Sequence, residues 1–220
     1  MRRKIVRALV RFIFRLITRV ELIGYENMPE GNFAIAANHI GLLDAMLVYN
    51  ALDRWDVIMP VAEKYAKQPL SSFVVRSFDG IFIDRFNPDI PAMREIMRRM
   101  EHGGVLVISP EGTRSSTGAL LEAKPGTCYL AARMGFPILP IAVTGSEDRT
   151  VMNNLKHLRK SHITVTAGPV IILPPLKGRN RNEALKDYTN EIMCRIAALL
   201  PEDKRGFYKK YPRVKELLAL

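Results

Sequence analysis

Phe33-Ala34-Ile35-Ala36-Ala37-Asn38-His39-Ile40-Gly41-Leu42-Leu43-Asp44 is an apolar run that stops abruptly at polar residues. The run over 33–37 reads as a short buried strand. His39 and Asp44 follow it, five residues apart. On one continuous α-helix that spacing would hold the two side chains roughly 140° apart, so they could not meet. They can meet if His39 sits in the turn after the strand and Asp44 in the first turn of the next helix. The helix dipole favours an acidic residue there. A carboxylate beside an imidazole selects its tautomer and stabilises the ring once protonated, as a general base requires.

Outward from this unit, apolar runs and helical periodicities alternate. Val20–Ile23, Val57–Val61, Ile81–Ile83 and Ile138–Val143 read as strands. The turn Pro29-Glu30-Gly31-Asn32 separates the first of these from 33–37. Gly104-Val105-Leu106-Val107-Ile108 is an unbroken apolar run, expected of a strand buried on both faces in a parallel sheet. Ile163–Thr166 alternates, as a half-exposed strand does. Helices are expected over about 42–52, from Asp89 and Pro91 through Met100, over about 126–134, and along Leu185, Tyr188, Ile192, Ile196 and Leu199. Residues 63–78 read as helical pieces. The class this implies is α/β: a single-domain sandwich of a mixed, partly parallel sheet flanked by helices. Residues 1–20 form an N-terminal basic amphipathic helix, 21–200 the main domain, and 201–220 a charged peripheral tail.

The chain has 220 residues and a net charge of +11. One domain with a full core fits that length. The charge points to an anionic partner: nucleic acid, an anionic membrane or a phosphorylated substrate. Seven basic residues and no acidic one lie in 1–20, with Arg3, Arg7, Arg11, Arg15 and Arg19 recurring every four residues. The arginines interrupt any apolar stretch long enough to span a bilayer. A basic helix carrying Phe12 and Phe14 instead suits the plane of an anionic membrane surface. Cys128 and Cys194 make no disulfide framework and read as packed thiols. His39, His102, His157 and His162 have no metal-ligand spacing. No Gly-x-Ser-x-Gly elbow signals a serine hydrolase.

Three more stretches carry chemistry. Gly80-Ile81-Phe82-Ile83-Asp84-Arg85 is a strand ending in a charged pair. Pro110-Glu111-Gly112-Thr113-Arg114-Ser115 directly follows the buried strand. Pro137-Ile138-Leu139-Pro140-Ile141-Ala142-Val143 is the third. Ligands gather at the carboxyl ends of strands in α/β sheets. Arg85 and Arg114 offer planar forks suited to phosphate. Gly112 lets backbone approach a ligand. Glu111 could orient an arginine or contact the acceptor.

In this order and spacing, the four blocks resemble those of the glycerolipid acyltransferases, most closely bacterial 1-acyl-sn-glycerol-3-phosphate acyltransferases. The resemblance covers about residues 20–170. It implies acyl transfer from acyl-CoA or acyl carrier protein, as substrate and without a cofactor or metal, to the free hydroxyl of a lysophospholipid. It implies His39 as base and Asp44 as its partner. It places Arg85, Glu111, Gly112, Thr113 and Arg114 on the acceptor phosphate or glycerol, and the segment around Pro140 along the site. Lys124-Pro125-Gly126 matches the family's Lys-x-Gly, but Ala123 stands where an aromatic is usual; Lys124 would contact the thioester oxyanion. The expected location is the cytoplasmic face of the cell membrane, held peripherally by the N-terminal helix. Rival readings are a related enzyme for glycerol 3-phosphate or another lysolipid, and a basic nucleic-acid-binding module. The second lacks an RNA-binding strand motif or a Cys/His finger, so no nucleic-acid partner is expected.

Overall fold

The computed structural model describes residues 2–52, 54–85, 87, 89–124, 128–174 and 180–219. Pro125 and Gly126, and the side chain of Arg3, lie outside the described residues. The chain opens with α1 (Arg2–Ile17), passes directly into β1 (Thr18–Ile23), and reaches β2 (Ala34–Ala37) after the 29–32 turn. α2 (Asp44–Leu52), β3 (Val57–Ile58) and β4 (Pro60–Ala62) follow, then α3 (Pro69–Ser77), β5 (Ile81–Ile83), α4 (Ile90–Glu101) and β6 (Val105–Ile108). The rest runs α5 (Tyr129–Met134), β7 (Ile138–Thr144), α6 (Asp148–Lys156), β8 (Ser161–Ala167), α7 (Arg181–Leu199) and α8 (Pro212–Leu218).

Six strands form the main sheet in the order β1-β8-β7-β2-β6-β3. β3, β6, β2 and β7 are mutually parallel; β8 pairs antiparallel with β7, and β1 parallel with β8. The sheet is therefore mixed, as the sequence implied. The expected strand over 57–61 is split. Met59 ends the main-sheet pairing, and β4 pairs with β5 in a separate two-stranded sheet. Proline at position 60 cannot donate to a ladder.

β2 sits between two parallel neighbours and all four of its residues are buried. Ala34 and Ala36 face a core built with α4, α5, α7 and α8. Ile35 and Ala37 face a second core with Phe14 of α1, Leu47 and Tyr49 of α2, and Phe78 directly after α3. This period-two division explains the unbroken apolar reading of the stretch. β8 alternates buried and partly exposed residues, as expected of a strand with one solvated face.

Two expectations are corrected. The segment after Pro201 is not peripheral. Tyr208 and Val214 are fully buried in the first core, and Arg213 ties α8 to Glu191 of α7. Charged residues in this segment lie on the outside of short helical turns whose inner sides are apolar. The arginine stripe of α1 does not all face outward either. Arg7 is only 9% exposed, donates to Ser77 O at 2.9 Å, and lies over the rings of Trp55, Phe78 and Tyr49. Arg11 donates to Tyr49 O, and Phe14, at 3%, is core. The exposed side of α1 carries an apolar stripe, Ile5, Leu9, Phe12, Ile13 and Leu16, with Phe12 at 66%, and Lys4 and Arg15 are exposed beside it. Arginine can dock a helix on aromatic rings and carbonyls because its weakly hydrated fork stacks and hydrogen-bonds at once.

Candidate active site

Because β2, β6 and β7 are parallel, the residues after them share one edge of the sheet. Asn38 makes the first turn possible. Its buried side chain donates to Val143 O at 2.9 Å and accepts from Val143 N at 2.7 Å, continuing the β2–β7 ladder after the backbone has left it. His39 is then gripped from both sides of its own peptide. Its N–H donates to Glu111 Oε1 at 2.9 Å, and its carbonyl accepts from Ser115 N at 2.7 Å.

The His39 ring meets Asp44 as the spacing implied, with Nδ1 2.8 Å from Asp44 Oδ2. The same oxygen accepts the N–H groups of Ile40 and Gly41 at 2.8 and 2.9 Å, so Asp44 also shapes the turn that presents His39. Its other oxygen accepts from the fully buried Ser146 hydroxyl. A Cβ at Gly41 would lie 1.8 Å from Ser146 O, so only glycine lets the two turns close on each other. The imidazole side chain keeps 31% of its surface exposed. With Nδ1 occupied by the carboxylate, Nε2 is the ring nitrogen that can take a proton from a substrate.

Glu111 is buried, and its second oxygen accepts from Leu121 N at 2.8 Å. Both oxygens thus hold protein backbone, correcting the expectation that this residue meets the acceptor. Burial pushes its carboxyl above the usual glutamate range, against the pull of the two N–H groups. Gly112, with φ +67°, turns the chain so that its carbonyl accepts from Arg85 Nη1 at 2.7 Å. The two-stranded sheet is thereby joined to the site, and Arg85 is exposed with further donors to offer. Arg114 pairs with Asp148, whose other oxygen accepts the N–H of exposed Leu42 at 2.7 Å. Thr113 is exposed between the two arginine anchors. Lys124 is brought near this edge by its backbone, which donates to Pro110 O at 2.9 Å; Pro125 and Gly126 beyond it lie outside the described residues.

Pro140 does not line the site. It is buried in the middle of β7 opposite Ala36. The contribution of this block comes six and eight residues after Pro140, from Ser146 and Asp148, which the sequence reading missed. A polar Gly-Ser-Glu-Asp run directly after a fully buried strand was the available signal. Among the described residues no three His, Cys, Asp or Glu side chains cluster as metal ligands.

The acyltransferase family model matches residues 19–144, more than half of the chain. A probable 1-acyl-sn-glycerol-3-phosphate acyltransferase of Mycoplasma pneumoniae is 27% identical over 82% of this chain and 70% of its own length. A 1-acyl-sn-glycerol-3-phosphate acyltransferase of Cocos nucifera is 29% identical over 79% of this chain, which spans 55% of that relative. The crystal structure of the 1-acyl-sn-glycerophosphate acyltransferase PlsC from Thermotoga maritima shares the fold. Its TM-score is 0.62 at 24% identity, covering 86% of this chain and 76% of that one. The matched span runs from β1 to the end of β7 and so contains the His39–Asp44 pair, both arginines and the Glu111 clamp: the chain belongs to the acyltransferase family.

Proposed function

We propose that the chain acylates the free hydroxyl of 1-acyl-sn-glycerol 3-phosphate, giving phosphatidic acid, with an acyl thioester of CoA or of acyl carrier protein as donor. The observation that carries this is a histidine paired with a carboxylate beside two arginines: Arg114 on the same sheet edge, and Arg85, which reaches it from β5 through the Gly112 carbonyl. His39 Nε2 takes the proton of the acceptor hydroxyl as its oxygen attacks the thioester carbonyl carbon. The tetrahedral intermediate collapses with cleavage of the C–S bond, and the imidazolium returns the proton to the departing thiolate. Asp44 stabilises the imidazolium between these steps. Arg85 and Arg114 bind the acceptor phosphate, Arg114 by exchanging or sharing its contact with Asp148. Lys124 or backbone amides stabilise the oxyanion. No step needs a metal or other cofactor.

The acceptor is a membrane lipid, so the site works at a bilayer surface. No helix of the described residues is long and apolar enough to cross a membrane. The outward stripe of α1, Ile5, Leu9, Phe12 and Leu16, suits shallow insertion into the cytoplasmic leaflet. The test is transfer by purified protein in detergent, with CoA and carrier-protein thioesters against glycerol 3-phosphate, lysophosphatidate and a zwitterionic lysolipid. Lysophosphatidate should be the preferred acceptor. Equal use of the zwitterionic lysolipid, whose phosphate is a diester, would refute selection of a terminal phosphate monoester by the arginines.

A further inference from the structure

The turn between α6 and β8 carries a feature that the reaction does not use. Leu158 is 95% exposed and holds a left-handed backbone, φ +53°. That conformation is unfavourable for a branched apolar side chain. Met152 and Leu155 precede it at helical spacing and are exposed as well, and α6 has no buried residue. Residues 149–160 include Arg149, Lys156, Arg159 and Lys160 and no acidic residue. This is an apolar ridge inside a cationic border.

Its position gives the ridge a purpose. At one end of α6, Asp148 accepts the N–H of Leu42 beside the His39–Asp44 turn. At the other end, Lys160 Nζ donates to Arg15 O in the last turn of α1, and Ser161 pairs with Thr18. The ridge therefore spans the sheet edge from the active site to the C-terminal end of the exposed apolar face of α1.

We propose that Met152, Leu155 and Leu158, with Arg149, Lys156 and Arg159, form a second membrane foot that sits on anionic lipid. This rests on the interfacial reading of α1 and extends it. A helix lying alone in an interface can roll about its own axis. A second contact beside the active site sets the roll, so that the His39 side of the sheet edge meets the lipid surface. The occupant is a lipid surface because apolar side chains and cations are interleaved here. Inserted leucines add burial that salt does not screen, while each cation near an anionic surface contributes about a fivefold change in partition at low salt.

The test uses the full chain and vesicles of phosphatidylcholine with or without phosphatidylglycerol. A variant combining Leu155→Ser, Leu158→Asn, Lys156→Gln and Arg159→Gln should bind anionic vesicles on the order of tenfold or more weakly, while turnover of a soluble short-chain acceptor is kept. Separately, Leu158→Cys carrying a solvatochromic dye should shift to the blue on vesicles; native Cys128 and Cys194 are buried. If the unaltered chain binds no vesicles, the α1 anchor and this foot fall together. If it binds and the fourfold variant binds equally, with an unshifted dye, only the foot is overturned. Loss of transfer from a carrier-protein donor with unchanged vesicle binding also overturns it, assigning the ridge to an acidic protein instead.

Discussion

Glu111 Oε1 accepts the backbone N–H of His39 at 2.9 Å across 72 residues of sequence, so the acidic block fixes the turn that presents His39. Glu111→Ala leaves two partly buried N–H groups without acceptors, which costs up to about 2–6 kcal/mol in stability. Glu111→Gln keeps one acceptor oxygen and should lose less. Both should lower kcat more than they raise the acceptor KM. Denaturant midpoints and steady-state kinetics decide this. A Glu111→Ala protein of full stability with only a raised acceptor KM would return the residue to the substrate.

His39 and Asp44 should separate in a stability measurement. His39→Ala removes a half-exposed ring and should leave the melting temperature nearly unchanged while turnover falls by about 10²–10⁴. Asp44→Asn faces an amide group toward donors that Asp44 satisfies from Ile40, Gly41 and Ser146. Thermal melts should show Asp44→Asn lowered, together with its activity.

The two arginines are held differently. Arg85 uses one donor on a backbone carbonyl, whereas Arg114 already has a carboxylate partner. A charge-assisted hydrogen bond contributes about 1.5–3 kcal/mol, so Arg85→Ala should raise the acceptor KM about tenfold or more and leave the donor KM alone. Arg114→Ala should raise it less, because phosphate binding there displaces or shares Asp148. The reverse order in measured KM values would assign the main phosphate contact to Arg114.

On α1, substitutions should sort by face. Leu9→Ser, Phe12→Ser and Leu16→Ser together should release the protein from vesicles without lowering its melting temperature. Arg7→Gln should instead lower the melting temperature, since it removes the contact with Ser77 and the ring faces of Trp55 and Phe78. Vesicle sedimentation and thermal melts on both variants check this.

Acid should loosen the attachment of α8. Hydrogen bonds from Arg213, and then Arg195, hold the Glu191 carboxyl below the usual glutamate range. A folded-state value below the unfolded one gives stability that is complete above the ordinary glutamate pKa and is lost as pH falls through the lowered value. The melting temperature should therefore fall on acidification, and less steeply in Arg213→Ala than in the unaltered chain.

The strand-turn-helix unit around His39 was legible because each of its signals is local. An apolar run, a polar break and an acidic first turn together predict where two side chains meet. The parallel strands were legible for a similar reason, since burial on both faces removes alternation. Other features depend on distant partners. Nothing near Glu111 states that its oxygens will meet the amides of His39 and Leu121. Ser146 reaches Asp44 only because β7 lies beside β2. Arg7 reads as solvated until the rings of Trp55 and Phe78 are seen beneath it. The tail misled because its charges outnumber its few buried side chains, Tyr208 and Val214 among them.

Those buried side chains tie the timing of the site to its geometry. Lys204 O accepts from Leu120 N, Phe207 N donates to Leu120 O, and Tyr208 Oη accepts from Ala123 N at 3.1 Å. The neighbouring Leu121 supplies the N–H that completes the Glu111 clamp. The loop behind His39 therefore takes three of its hydrogen bonds from residues 204–208. A ribosome-bound chain that already carries all of His39, Asp44, Arg85 and Arg114 still lacks the hydrogen bonds that Lys204, Phe207 and Tyr208 give this loop, from more than 160 residues downstream of His39.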